Sequence, residues 1–538
     1  MDLTSRANRP VTTRYDFLIV GSGFASCVLA IVLQRLGYHC LLVEAHQHPR
    51  FAIGESSTPI ADQILLDLGQ DFQLPELTRL GRWATARHLP DVVVGCKQGF
   101  SYFFADASDD KQTVPMLLVP ASPNAAVADS HWHRGSVDHY LARCAVARGT
   151  DLRIQTRVTG LTRTATGWSA DLTPGNAHGE VATVAAKFLI DGSGPARVVS
   201  SLLDLPHPTN ASTKLPLGHS HFSFATDSGS LFGHFRLPID WESTWRQWHL
   251  PTDRFSFPPQ HAALHHVTDN GWMWHLAFDN DVVSLGWVLP SNVWSKLGQV
   301  STPEQRWQFW KAQLRLYPRL EALYGAAPLV DPPGGLGLIP HQQRFSEPIA
   351  GPGWLALPNT VGFVDPLHST GIGHSLCAVQ KVVRTLVRGG RLDDQFLQAY
   401  ADRMKKEFWL VDQLVAAAYS GLGQPEKWEA ATMLYFAAAI TFEECRDLAR
   451  RSKPDANNGD DATLAINDDV PWQSPDFLMA DRNDLLERVV RARSLLQRPK
   501  PPRSGWLVEM SNILGPLNTV GLCDPALNGI YHYTTAKK

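Results

Sequence analysis

A glycine turn supplies the first chemistry in this sequence. Gly21, Ser22 and Gly23 follow the apolar run YDFLIV and open the apolar segment FASCVLAIVLQRLG. Two glycines at that spacing permit a tight turn and the close approach of a pyrophosphate to a helix N-terminus, where free N–H groups and the helix dipole favour an anion. Ser26 stands where a third glycine is usual and is small enough for a helix to pack on a strand. Glu44 ends the next apolar run, CLLVEA, about 20 residues further on, where a carboxylate can accept from both ribose hydroxyls. Strand, glycine turn, helix and strand form one right-handed βαβ unit of a parallel sheet, which predicts a bound dinucleotide.

The rest of the chain must bury and complete that unit. Its 538 residues exceed the roughly 250–300 at which a single core stops growing, so several regions are expected. The formal net charge of −3 argues against nucleic acid or an anionic membrane surface as a partner. Charged residues make up 19%, too few for a disordered or coiled-coil chain. Seven scattered cysteines with no CxxC pair fit neither a zinc site nor a disulfide framework, and a reducing cytoplasm is expected. The opening MDLTSRANRPVTTRYD lacks the apolar run of a signal peptide. No run of ~18 apolar residues suggests a membrane span.

Four more segments resemble flavin-dependent halogenases, within the FAD-dependent oxidoreductases. The run RFAIGESSTP, with Arg50, Gly54, Glu55 and Ser56, is similar to the loop after their second strand. WHRGSVD resembles a turn whose arginine, here Arg134, reaches FAD, and Asp191-Gly192-Ser193-Gly194 resembles their DxSG turn. Asp365 and Pro366 open DPLHSTG, similar to the stretch that runs under the isoalloxazine. These segments occur in flavin monooxygenases generally, so by themselves they imply FAD alone.

Three features narrow the resemblance. Trp272 and Trp274 lie in GWMWHLA, similar to the GWxWxIP signature whose tryptophans separate flavin from substrate; Leu276-Ala277 replaces Ile-Pro. Ser369, Thr370 and Gly371 stand where the family binds chloride or bromide, and a loop entering a helix offers amides to such an anion. Ordinary helix capping by Ser or Thr is the alternative there. Lys97 corresponds to the lysine that presents hypohalous acid to the substrate, and burial among VVVG and FSYFF would lower its pKa.

His368 occupies the place of a glutamate in the tryptophan-specific members and can act as base. Without that carboxylate, a phenol-like aromatic is expected rather than free tryptophan. Pro358-Asn359 replaces the usual Gly-Asp.

The expected enzyme uses FADH2, O2 and halide, with reduced flavin from a separate NAD(P)H-dependent reductase, since no second glycine-rich βαβ unit is visible. A homodimer is compatible with the sequence. The alternatives are an FAD monooxygenase that makes no use of halide, and a flavin-binding scaffold without catalysis.

The expected fold is α/β: a Rossmann-type FAD-binding domain over 1–375, interleaved with an antiparallel β-sheet substrate region over about 90–290. A mostly helical region over 376–538 is expected to close the substrate site, with Trp409, Tyr419, Trp428 and Tyr435 as candidate lining. The polar run 452–469 reads as a loop. NTVG-x-x-DP occurs at both Asn359 and Asn518, as a chance turn or a copied surface.

Overall fold

A computed structural model describes residues 14–107, 114–175, 180–205, 223–295, 300–331, 333–451, 475–501 and 505–532; the run 452–469 lies outside them. The dinucleotide unit forms as the apolar pattern requires. Arg14–Val20 and Cys40–Val43 pair in parallel around the helix Phe24–Arg35, ten of whose twelve residues are buried. Ala182–Asp191 joins on the other side of the first strand, followed by Trp354–Ala356, while Asp151–Arg153 extends the sheet beyond Cys40–Val43. Register puts Val20 beside Val43 and Asp191, and Asp191 beside Ala356. The carboxyl ends are therefore level, and Gly21, Glu44, Gly192 and Leu357 leave the sheet along one edge, where open α/β sheets bind ligands.

A second sheet also has eight strands. Its central strands Ser228–Arg236, Val282–Pro290, Trp272–Ala277 and Ala263–Val267 are antiparallel neighbours, as the alternating pattern suggests. The expected all-antiparallel region is nevertheless mixed: Gly99–Phe104 pairs in parallel with Ala263–Val267. A strand more than 150 residues away in sequence leaves no local signal of its direction. The outer strand, Met116–Pro120, is covered in turn by residues 529–531, with Leu118 N–H donating to Gly529 O at 2.7 Å and Tyr531 N–H to Leu118 O at 3.0 Å.

The helices Thr370–Val387, Asp394–Tyr419, Pro425–Arg451 and Asn483–Leu496 form much as the Ala-, Leu- and Val-rich composition predicts, and Gly505–Leu514 adds another. The expected division after residue 375 falls inside the Thr370–Val387 helix, whose apolar face joins the flavin-side core. Among the described residues, no helix is long and apolar enough to cross a membrane, no cysteines are bridged, and no His/Cys/Asp/Glu group could hold a metal.

Candidate active site

The glycine turn is built by mutual contact. Gly21 has φ +88°, and a Cβ there would lie 2.6 Å from Gly192 O; a Cβ on Gly192 would lie 2.1 Å from Ser26 Oγ. Helix start and DGSG turn thus touch, so bulk is excluded from both. Gly23 precedes the helix with no side-chain cap and no acid in the first turn, leaving the first amides unclaimed by side chains. A Cβ on Gly23 would meet only Arg50 Nη2 at 3.8 Å.

Glu44 is buried just beyond its strand, accepting from Ser22 N–H at 3.0 Å and Ser22 Oγ at 2.9 Å. Burial works against its charge, but Arg50 at 3.3 Å and the Ser22 and His46 amides outweigh it and hold its pKa below the usual carboxylate range. An open helix start beside an ionised acid fits the pyrophosphate and ribose of FAD.

Two residues of this half are held by hydrogen bonds within the protein. Arg134 is not in a turn but begins the 14-residue helix Arg134–Ala147. All three of its guanidinium nitrogens are engaged: Nε and Nη2 donate to Asp138 at 2.9 Å, and Nη1 donates to the Ile53 and Gly54 carbonyls at 3.0 Å. It clamps the RFAIGESSTP loop from behind rather than offering a free guanidinium. Asp191 likewise shapes its own turn, accepting from Ser193 N–H, Ser193 Oγ and Val199 N–H. Glu55, in the clamped loop, meets His234 Nε2 at 2.8 Å, and Ser56 bridges to His131.

Asp365 anchors the DPLHSTG stretch. Its buried carboxyl accepts from Ser228 Oγ at 2.9 Å, Tyr419 OH at 2.7 Å and Leu367 N–H at 3.0 Å. Burial pushes its pKa up to about 6 despite these donors. Pro366 leads into Ser369, a left-handed residue with φ +53°, and Thr370 begins the helix with no side-chain cap from Ser369. Capping by that hydroxyl is therefore not the geometry, and Thr370 and Gly371 line a crevice together with Asn359, Asp365, His374 and Phe408. Pro358 starts a short helix, Pro358–Val361, and a Cβ on Gly371 would touch only Asn359 Oδ1, at 3.9 Å.

Lys97 is fully buried, donating to Ser57 O and lying 4.1 Å over the Phe100 ring. Burial lowers its pKa to about 8, and the carboxylates of Asp129, Asp62 and Glu443 limit the fall. Its strand can ride on the end of the tryptophan strand because position 95 is glycine: a Cβ there would lie 1.8 Å from Ala277 O.

Trp272 and Trp274, two apart on one strand, point to one face. Trp274 reaches Phe232, which stacks on Phe51 of the clamped loop; Trp272 lies 5.2 Å from His265, which stacks on Tyr102 at 4.7 Å. Gly286 makes room for Trp274, since a Cβ there would lie 2.2 Å from its ring. The pair thus spans from the loop beside the glycine turn to the rings beside Lys97.

His368 stacks face to face on Tyr435, centroids 4.2 Å apart at 4°, and Tyr435 sits edge-on to Phe100. Lys97, Phe100, Tyr435 and His368 therefore form one continuous row. Burial, with nearby His265, lowers the pKa of His368 to about 3, and the Leu414 backbone offsets only part of the fall. It is held neutral.

Of the four expected lining residues, Tyr419 and Tyr435 touch these groups directly and Trp428 packs edge-on against Tyr102 at 6.0 Å; Trp409 is buried among the helices. Tyr102, His265, Ser228 and His374 were not singled out from sequence; only the one-turn spacing of His374 from Thr370 carried a signal.

Residues 19–71 match the NAD(P)-binding Rossmann-like domain. The chain is 25% identical over 459 residues to monodechloroaminopyrrolnitrin halogenase PrnC of Pseudomonas fluorescens, covering 82% of this chain and 74% of that one. It is 24% identical over 503 residues to the tetracycline 7-halogenase of Kitasatospora aureofaciens, covering 90% and 84%. The crystal structure of halogenase PltM in complex with phloroglucinol and FAD superposes with a TM-score of 0.76 at 19% identity, covering 97% of this chain and 100% of that one. Sequence over most of the chain and fold over nearly all of it agree: the protein is a relative of the flavin-dependent halogenases, built on their FAD-binding fold.

Proposed function

We propose that the protein is a halogenase that uses FADH2, O2 and chloride or bromide to halogenate a phenol-like aromatic. The observation that carries this reading is the position of Lys97, buried in an aromatic box beyond the two tryptophans from the glycine turn. Bound reduced flavin, with O2, supplies the two-electron oxidation of halide. The open helix start at Ser369–Gly371 holds the anion, and Trp272 and Trp274 keep the substrate away from the flavin side. Lys97 donates a hydrogen bond to hypohalous acid and aims its halogen at the ring. His368, buried and held neutral, accepts the proton the ring releases on rearomatising.

The box itself favours a neutral phenol over an amino acid. Tyr102 OH and Trp428 Nε1 are buried without hydrogen-bond partners, polar groups that suit a hydroxyl, and the neutral His368 leaves no carboxylate in its place to pair with an ammonium. A separate reductase provides the reduced flavin. The exchange of a carboxylate for His368 favours a second reading, oxygenation on the same scaffold without halide.

The test supplies reduced FAD, O2 and bromide or chloride with a panel of phenols and indoles, followed by mass spectrometry. Halide-dependent halogenated phenol, lost in Lys97→Ala, is expected. Oxygenated product formed equally well without halide would select the second reading.

A further inference from the structure

His374 lies one turn beyond Thr370, so the two share a helix face, and both line the crevice beside Asp365. Its ring is fixed on three sides. Phe477 stacks on it at 4.9 Å, Phe408 meets it edge-on at 5.0 Å, and its Nε2 contacts Glu407 Oε2 at 2.9 Å.

Glu407 is itself buried and tightly held. Its other oxygen accepts from Lys381 Nζ at 3.2 Å and Phe477 N–H at 2.8 Å, and Lys381 also contacts Asp476, which Arg403 pairs from outside. Burial opposes the Glu407 charge, yet Lys381 and His374 prevail and keep its pKa at about 2. An ionised carboxylate can only accept, so Nε2 of His374 carries a hydrogen in either protonation state. Nδ1 is left as the atom that exchanges a proton.

We propose that the His374–Glu407 pair sets the charge of the anion subsite at Thr370 and Gly371, with halide and one proton binding together. The proton comes from water and settles on Nδ1 of His374. The imidazolium so formed then adds its charge to that of the helix amides. This rests on the reading that halide binds at the start of this helix. The nearby charged groups are Glu407, Lys381, Asp476 and Arg403 behind the ring and Asp365 across the crevice. Asp365 loses its own proton in the same direction of pH and so also opposes an anion, which makes the variant comparison necessary.

Bromide binding to the full-length protein is measured by bromide NMR line broadening across pH. Affinity is expected to fall as pH rises, by as much as about tenfold per pH unit where one proton is taken up with the halide. In His374→Gln, with an unchanged circular dichroism spectrum, it should be weaker and should keep only the shallower fall that Asp365 causes. By reciprocity, saturating bromide should raise the imidazole pKa of His374 followed by nitrogen-15 NMR in the unmodified protein, a readout that needs no variant. A His374→Gln protein with the parental pH profile, or an imidazole pKa that bromide leaves unmoved, would overturn the role of His374 alone. Absence of bromide binding at any pH would overturn the anion subsite and this inference with it.

Discussion

Trp272 is joined to Asp365 through a single hydroxyl: Tyr419 OH accepts from Trp272 Nε1 at 3.1 Å and donates to Asp365 Oδ2 at 2.7 Å. One atom thus ties the tryptophan strand to the stretch that leads into the Thr370–Val387 helix. Tyr419→Phe leaves the indole N–H without its partner in a buried setting and leaves Asp365 Oδ2 with Ser228 Oγ alone. A loss of about 1–3 kcal/mol is expected in denaturant unfolding, with the FAD-binding fold retained.

Asp365 also makes stability depend on pH. Its folded pKa of about 6 lies above the ordinary 3.8, so the folded state binds the proton more tightly. The resulting contribution is complete below pH 4 and disappears as pH rises through 6. It amounts to about 3 kcal/mol at most. Denaturation midpoints of Asp365→Asn should lack that decline between pH 4 and 6.

Lys97, with its pKa lowered to about 8, is an ammonium at neutral pH and loses its proton in mildly alkaline solution. If the ammonium is the group that holds hypohalous acid, substrate halogenation falls as pH rises through 8, while consumption of O2 with halide continues. Substrate product and halogenation of a small diffusible trap, followed together over pH 6.5–9.5, separate the two. Parallel decline of both would remove Lys97 from the transfer step.

His368→Phe distinguishes a base from a packing residue. Phenylalanine preserves the stack on Tyr435 and removes two buried ring nitrogens that together make at most the one contact with the Leu414 backbone, so the thermal midpoint should change little. Turnover should drop on the order of 100-fold or more, the typical worth of general base catalysis. Unchanged turnover would assign His368 to packing.

Gly192→Ala should drive the DGSG turn off the first helix, because the new methyl would stand 2.1 Å from Ser26 Oγ. Retention of FAD through dialysis, read at about 450 nm, should fall more than tenfold. Ser26→Gly in the same chain removes the colliding atom and should restore most of it. Failure of that rescue would place the strain at another neighbour.

The sequence patterns reached unequal depths of this architecture. The glycine turn, Glu44 and the long helices were legible because each is written in consecutive residues: a turn, a strand end, an apolar period. The start of the Arg134–Ala147 helix was missed, since WHRGSVD carries no side-chain cap and its first turn holds a glycine. Partnerships across the chain left no trace in spacing. Glu407 is 33 residues from His374, and Tyr419 is 147 from Trp272. Resemblance singled out Lys97 and His368 as candidates, yet only the packing of Phe100 and Tyr435 between them reveals that they belong to one row.

The covering of Met116–Pro120 by residues 529–531 has a bearing on biosynthesis. The sheet that backs Lys97 needs Gly99–Phe104 early in the chain, Ala263–Val267 midway, and Gly529–Tyr531 to close its border. A ribosome delivers these pieces in that order, so the Arg14–Val43 unit can condense while the sheet beside Lys97 still awaits this border segment. Pairings of such long sequence separation form slowly. Until they form, the border strand presents unpaired N–H and C=O groups to other nascent chains. The yield of folded protein should therefore depend on how quickly residues 529–531 arrive and dock.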